Sequence, residues 1–338
     1  MSNIRKAVME AVFAADRLHR DFDSKSAADR EGGRIDVFGM FAGRRLPLMF
    51  RPLRGLLGAF IDGGAPGAMV TTQRQLPVQR FTAAHELGHA VLGHKPSIDD
   101  EEVLRRTPFG TSARYDLQEV QANAFACELL MPQWLLAKHV SRQGWAPADL
   151  CRPEVVYQLS LRLGTSYAAT CHALSRYKAV GPAAYSRLLE TEPKAIKQRL
   201  AEPYEPANWY GDVWLLSERD DGILLEGSRS DLVVLTFLEH SGSGYVWRLD
   251  DLAEAGLIVV DDSRISPDGA GEMVGGILRR RVIAEARNGA RGAFTLAEVR
   301  PWQRTGEPLQ SLAVDIDLSG PVAGGLLPAE RRAWLGAA

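Results

Sequence analysis

The sequence predicts an α+β protein in two parts, a mixed helical and sheet region at the N-terminus and an all-β sandwich at the C-terminus. Three observations predict it. At 338 residues the chain is longer than one hydrophobic core usually supports, so two domains are expected. Up to about residue 200, apolar stripes at helical spacing alternate with apolar runs bounded by Gly and Pro; beyond it, segments become short, β-rich and turn-bounded. With 46% hydrophobic and 24% charged residues, the composition is that of a globular chain able to bury both cores.

In chain order, residues 3 to 22 place Ile4, Val8, Ala11, Ala15, Leu18 and Phe22 on one stripe and open as an amphipathic helix, capped by Ser2 or Asn3. Pro47 to Leu53, Leu56 to Ile61 and Ala68 to Thr72 read as a small sheet because turn residues separate them. Arg80 to Leu92 has no interior proline and is helical until Gly93 and Pro96 stop it. A second long helix runs from about Leu117 to Met131 and ends at Pro132. Residues 153 to 177 read as two short helices joined at Gly164, Thr165 and Ser166, a helix-turn-helix outline. Pro203, Pro206 and Gly211 then punctuate a linker. About seven strands follow: Val213 to Leu216, Ile223 to Glu226, Leu232 to Leu238, Tyr245 to Leu249, Gly276 to Glu285, Arg291 to Val299 and Leu309 to Leu318, the number expected of an immunoglobulin-like sandwich. The resulting segments are 1–150, 151–206 and 207–338.

The 40 basic and 42 acidic side chains leave a net charge of −2, so no global field draws the chain to nucleic acid or an anionic membrane. Cys127, Cys151 and Cys171 lack the close paired spacing of a disulfide framework or a cysteine metal site, which fits a reducing compartment. Charges interrupt the first twenty residues and no stretch is apolar enough to span a membrane, so a cytoplasmic protein without membrane contact is expected.

The string with most chemical content is RFTAAHELGHAVLGH, residues 80 to 94. His85 and His89, four apart on a helix, present two imidazoles on one face; Glu86 beside them completes H-E-x-x-H, a pattern in which the histidines bind zinc and the glutamate is general base. A catalytic zinc takes three protein ligands, and two third ligands compete. His94 stands one position short of the spacing in H-E-x-x-H-x-x-G-x-x-H, which favours reading it as a surface histidine closing the helix. Glu119 shares a face of the next helix with Asn123, so Glu119 can ligate while Asn123 hydrogen-bonds a ligand histidine from behind. Glu128, nine residues on, points elsewhere and reads as solvated or capping; Tyr115 reads mainly as packing, with oxyanion stabilisation as its chemical use.

RFTAAHELGHAVLGH followed by EVQANAFACELLMP resembles the ImmA/IrrE family of metallo-endopeptidases, over roughly residues 1 to 180. The resemblance implies a gluzincin-like site with His85, His89 and Glu119 on Zn2+ and Glu86 catalytic. It also implies a substrate, a helix-turn-helix repressor cut to release a stress or mobile-element response. The second helix of the helix-turn-helix outline offers only Arg176 and Lys178 near its end, too few for phosphate binding, so packing is expected there rather than direct DNA contact.

In the C-terminal segment, SGSGYVWRL at 241 to 249, MVGG at 273 to 276 and VRPW at 299 to 302 resemble the three loops of chagasin-like cysteine-protease inhibitors, which have an immunoglobulin-like fold. Gly244, Tyr245 and Trp247 match the first loop, Gly275 and Gly276 the second, and Arg300, Pro301 and Trp302 the third; His240 to Ser243 replace N-P-T-T, and Met273 replaces a glycine. Strand alternation turns Trp247 inward. Tyr245, Gly275, Gly276, Arg300 and Trp302 are therefore the candidate contacts for a protein or peptide ligand, with protease inhibition, substrate selection and regulation of the N-terminal enzyme as its uses.

Overall fold

The computed structural model describes residues 3–30, 32–62, 66–100, 116–265, 277–286, 289–303 and 306–324. The chain divides into two compact units, one comprising Met1–His139, Leu159–Ala179 and the segment from Pro321, the other Val140–Gln158 and Val180–Gly320. Helical and mixed elements dominate the first and sheets the second, as the sequence predicts. Among the described residues no helix is long and apolar enough to cross a membrane, and the three cysteines are free thiols.

In the first unit, α1 (Asn3–Asp21) buries Ala7, Ala11, Ala14, Ala15 and Leu18, the small-residue stripe that lets another helix approach closely. After α2 (Ser24–Arg30), α3 (Val37–Gly43) starts where the Asp36 carboxylate accepts from the Gly39 N–H at 2.9 Å. Strands β1 (Leu48–Arg51), β2 (Leu56–Asp62), β3 (Pro66–Thr71) and β4 (Ser97–Asp100) form a sheet in the order β1-β3-β2-β4, in which only β1 and β3 run parallel. Helix α4 (Leu76–Leu92) starts four residues earlier than Arg80, because Pro77 suits the first turn, and ends where Gly93 adopts φ 68°. It packs on β2 and β3 with one side and on α5 (Leu117–Leu130) with another, which is why it is buried nearly all round. The α4–α5 crossing is close: a Cβ on Gly88 would stand 3.0 Å from Phe125 and 3.3 Å from the Ala122 backbone. The base of α4 is tied to the chain's last described segment, since Gln79 donates to the Val322 carbonyl at 2.9 Å and accepts from its N–H at 2.8 Å.

Helices α6 (Gln133–Gln143), α7 (Pro153–Leu163) and α8 (Tyr167–Arg176) follow, with Ser166 capping α8 as its position after Gly164 suggests. Two more, α9 (Pro182–Glu190) and α10 (Pro193–Ala201), each open on a proline and are elements the sequence reading does not supply.

Among the described residues the second unit contains eight strands: β5 (Val213–Leu216), β6 (Ile223–Glu226), β7 (Leu232–Glu239), β8 (Val246–Arg248), β9 (Leu257–Ile265), β10 (Leu278–Ala286), β11 (Arg291–Val299) and β12 (Gln310–Asp317). A short helix, α11 (Asp250–Glu254), separates β8 from β9. The strands form two four-stranded sheets, β5-β7-β10-β9 and β6-β12-β11-β8. The strand beyond the expected seven is β9; its Val-Val-Asp-Asp-Ser-Arg run lies at a sheet edge, where exposure blurs the apolar alternation that marks a strand. Val213, Leu232, Val234 and Ile283 form one apolar cluster with Ala201 of α10.

Residues 140–158 belong to this unit for a polar reason. The Tyr157 hydroxyl donates to Asp212 at 2.8 Å and accepts from the Val213 N–H at 3.0 Å, while Gln158 donates to the Val213 carbonyl at 2.7 Å and accepts from the Leu215 N–H at 2.9 Å. Two side chains thereby satisfy the free edge of β5 as a neighbouring strand would. The compact units therefore cut through the 151–206 segment of the sequence reading: 159–179 pack with the first unit and the rest with the second.

Candidate metal centre

One helical turn sets His85 and His89 side by side on α4, and the first turn of α5 brings Glu119 to them. The Nε2 atoms of the histidines are 3.0 Å apart, Glu119 Oε2 lies 3.3 Å from His85 Nε2, and Glu119 Oε1 lies 3.4 Å from His89 Nε2. Donors bound at about 2.0–2.1 Å to one tetrahedral ion stand about 3.3 Å from each other, so the triad fits a metal ion. The donor chemistry agrees: two ring nitrogens and a carboxylate converge their lone pairs within 4.8 Å, an arrangement a cation stabilises. The three residues named from the sequence are brought together, with both histidines fully buried.

Asn123 Oδ1 lies 3.0 Å from His85 Nδ1. Accepting that hydrogen, Asn123 leaves the His85 Nε2 lone pair directed at the centre. Glu86 is also fully buried, and its carboxylate lies against β2.

Gly58 of β2 is the residue the sequence reading misses. A Cβ there would meet Glu86 Oε1 at 2.3 Å, Thr82 Cγ2 at 2.6 Å and the Met69 carbonyl at 3.0 Å. The available signal is a glycine inside an apolar strand, which marks close approach by another group. With Glu86 as the general base that the sequence pattern predicts, Gly58→Ala is expected to keep the metal yet lower turnover by about tenfold to a hundredfold, because the group displaced would be the carboxylate that takes the proton. Metal content measured beside single-turnover cleavage checks this; unaltered turnover would show that Glu86 tolerates the shift.

Two sequence expectations are corrected. His94 is not a surface histidine: it is 8% exposed, with its ring against His89, and burial holds its pKa below the ordinary histidine value. The cause is the left-handed Gly93, which folds the chain back over the helix end. Glu128 is neither solvated nor capping. It is buried, pairs with Arg176 and accepts from the Tyr177 hydroxyl at 3.0 Å, so α8 is fastened to α5 through it. Tyr115 lies outside the described residues.

In the second unit, Tyr245, Arg300 and Trp302 come together, whereas Gly275 and Gly276 lie outside the described residues. The Arg300 guanidinium sits over the Tyr245 ring at 4.5 Å and its Nε donates to the Ser243 carbonyl at 3.3 Å. Gly244 takes φ 82°, and a Cβ on it would be 2.3 Å from the Trp302 ring, so glycine is required under that indole. Trp302 is nonetheless 68% exposed, whereas Trp247 is 2% exposed and stacked on Phe237 at 4.4 Å.

The chain is similar in part to several known proteins. Uncharacterized immunity region protein 2 of Bacillus phage phi105 is 41% identical over 59 residues, 18% of this chain and 34% of that protein, so the chain spans about a third of that relative's length. Amoebiasin-2 of Entamoeba histolytica is 25% identical over 107 residues, 32% of this chain and 86% of that protein. Among solved structures, the cysteine protease inhibitor EhICP2 from Entamoeba histolytica matches at 22% identity and a TM-score of 0.29, covering 33% of this chain and 99% of its own. Amebosin, solved in solution, matches at 16% identity and a TM-score of 0.26, covering 31% and 97%. Residues 70–175, the stretch that holds His85, Glu86, His89, Glu119 and Asn123, match the Peptidase_M78 family model, an IrrE N-terminal-like domain.

Proposed function

We propose that the chain is a cytoplasmic zinc endopeptidase that cleaves a regulatory protein, a helix-turn-helix transcriptional repressor, in a stress, mobile-element or defence response. The observation that carries the reading is the convergence of His85, His89 and Glu119 beside a buried Glu86, within the segment that matches a peptidase family. When bound, zinc supplies Lewis acidity, polarising the scissile carbonyl and acidifying water. Glu86 takes the proton from the attacking water and passes it to the leaving amine. Its burial keeps bulk water from competing for that proton, and Asn123 fixes the imidazole of His85. Free thiols suit a reducing compartment.

The purified full-length chain is expected to carry about one zinc. It should cut a repressor encoded beside it, lose that activity to a chelator and regain it with zinc. A zinc-replete chain that leaves every neighbouring regulator intact would instead point to a zinc-bearing binding module with little activity.

A second reading concerns the C-terminal unit, on the ground that Tyr245, Arg300 and an exposed Trp302 form one cluster. Exposed aromatics with a stacked arginine have the composition of interface anchors. The unit would then hold a protein or peptide ligand, as a cysteine-protease inhibitor, a substrate selector or a regulator of the enzyme.

A further inference from the structure

The proton positions around His89 can be worked out from a chain of groups that starts on α1. Gln121 of α5 donates from its side-chain nitrogen to Glu10 Oε2 at 3.1 Å and to the Ala7 carbonyl at 3.5 Å. Both partners are acceptors only, so the amide nitrogen faces α1 and the amide oxygen faces the other way. That oxygen is 3.1 Å from His94 Nε2, which must therefore carry a hydrogen. A neutral imidazole protonated at Nε2 has its lone pair at Nδ1, and His94 Nδ1 lies 3.0 Å from His89 Nδ1. His89 Nδ1 is thus the donor, and the lone pair of His89 is left on Nε2, the atom 3.4 Å from Glu119 Oε1.

The backbone supports the same geometry. Gly93 in the left-handed region turns the chain, the His94 N–H bonds the His89 carbonyl at 3.0 Å, and the two rings meet edge to face with centroids 4.9 Å apart. The other wall of His89 is Phe60, stacked at 6.3 Å. His89 is consequently held on one side by packing and on the other by a directed hydrogen bond, and the two ligand histidines have separate orienting partners, Asn123 for His85 and His94 for His89.

We infer that His94 is a positioning residue of the metal centre: it accepts the Nδ1 hydrogen of His89, which fixes the tautomer and ring angle that present Nε2 to the ion, and Gln121, anchored on Glu10, sets the proton of His94. The inference rests on His89 being a metal ligand, as proposed above.

The test uses the full-length chain and zinc alone, with affinity read by chelator competition. His94→Phe keeps the ring volume and removes the acceptor, and should weaken zinc binding by about tenfold to a hundredfold. His94→Asn, whose Oδ1 can stand where Nδ1 does, should recover most of that loss, and Gln121→Leu should weaken binding less than His94→Phe. Nitrogen-15 NMR of the zinc-loaded wild type should show a coupling across the hydrogen bond between His89 Nδ1 and His94 Nδ1, a signature that packing alone does not produce. Wild-type affinity in His94→Phe, no difference between Phe and Asn, or absence of the coupling in a zinc-loaded chain would each overturn the inference while leaving the metal centre standing. A wild type that binds no zinc would overturn the metal reading itself.

Discussion

Glu86→Gln is expected to retain zinc and lose about 10²- to 10⁴-fold in cleavage rate, whereas His85→Ala, His89→Ala and Glu119→Ala should each lose the metal first and activity with it. The distinction follows from position. The two histidine Nε2 atoms lie 3.0 Å apart and each faces a different Glu119 oxygen at 3.3 or 3.4 Å, so removing one residue leaves two where three are needed. Glu86 belongs to the same helix turn but is not part of that convergence, and it presses instead against Gly58. Glutamine preserves its volume beside a glycine that admits no larger group, and removes only the capacity to take a proton. Because substrate contacts survive, the Glu86→Gln chain should also capture its substrate in cells, and cross-linking with mass spectrometry should recover a small helix-turn-helix protein. Zinc content, cleavage and capture measured on the same variants separate the roles. Full zinc retention by Glu119→Ala would remove Glu119 from the triad, and repeated capture without any DNA-binding protein would sink the substrate assignment.

Much of this centre is legible in the sequence because its determinants are local. The four-residue spacings of His85 and His89, and of Glu119 and Asn123, each place two side chains on one helix face whatever else the chain does. Helix ends are legible for the same reason: Gly93, Pro132 and Gly164 stop or turn the chain by their own backbone chemistry. What is not legible depends on partners distant in sequence. β4 exists only as a neighbour of β2. His94 looks like a helix-closing surface residue until Gln121, far along the chain, is found to direct its proton. Glu128 is burdened with burial that only Arg176 and Tyr177 explain. Gly58 becomes meaningful only once Glu86 is seen against it. The polar capping of β5 by Tyr157 and Gln158, which assigns part of a helical segment to the sheet unit, has no local signature at all.

The two tryptophans of the C-terminal motifs should behave oppositely on truncation. Trp247→Ala is expected to cost about 3 to 5 kcal/mol of folding stability, since a large ring in a closed core cannot be replaced by relaxation of its neighbours. Trp247 is 2% exposed, stacks on Phe237 at 4.4 Å and donates its indole hydrogen to the Leu238 carbonyl at 2.9 Å. The change would therefore leave a cavity and also remove the indole's hydrogen bond to the Leu238 carbonyl. In a unit of this size that corresponds to a fall in melting temperature of roughly 6 to 20 °C. Trp302→Ala removes a ring that is 68% exposed and rests on Gly244, so its effect on stability should stay within about 0.5 kcal/mol. An exposed tryptophan held in place by a glycine beneath it, beside an arginine stacked on Tyr245, has more to contribute to a partner than to the fold. If the cluster anchors a ligand, Trp302→Ala should weaken that complex by about thirtyfold or more with zinc content unchanged. Thermal melting of the two variants, followed by titration of a papain-like protease and by cleavage of the repressor, distinguishes the outcomes. A Trp302→Ala chain that melts, binds and cuts as wild type would show the cluster to be surface without a partner, and a large melting loss in that variant would assign it to the core.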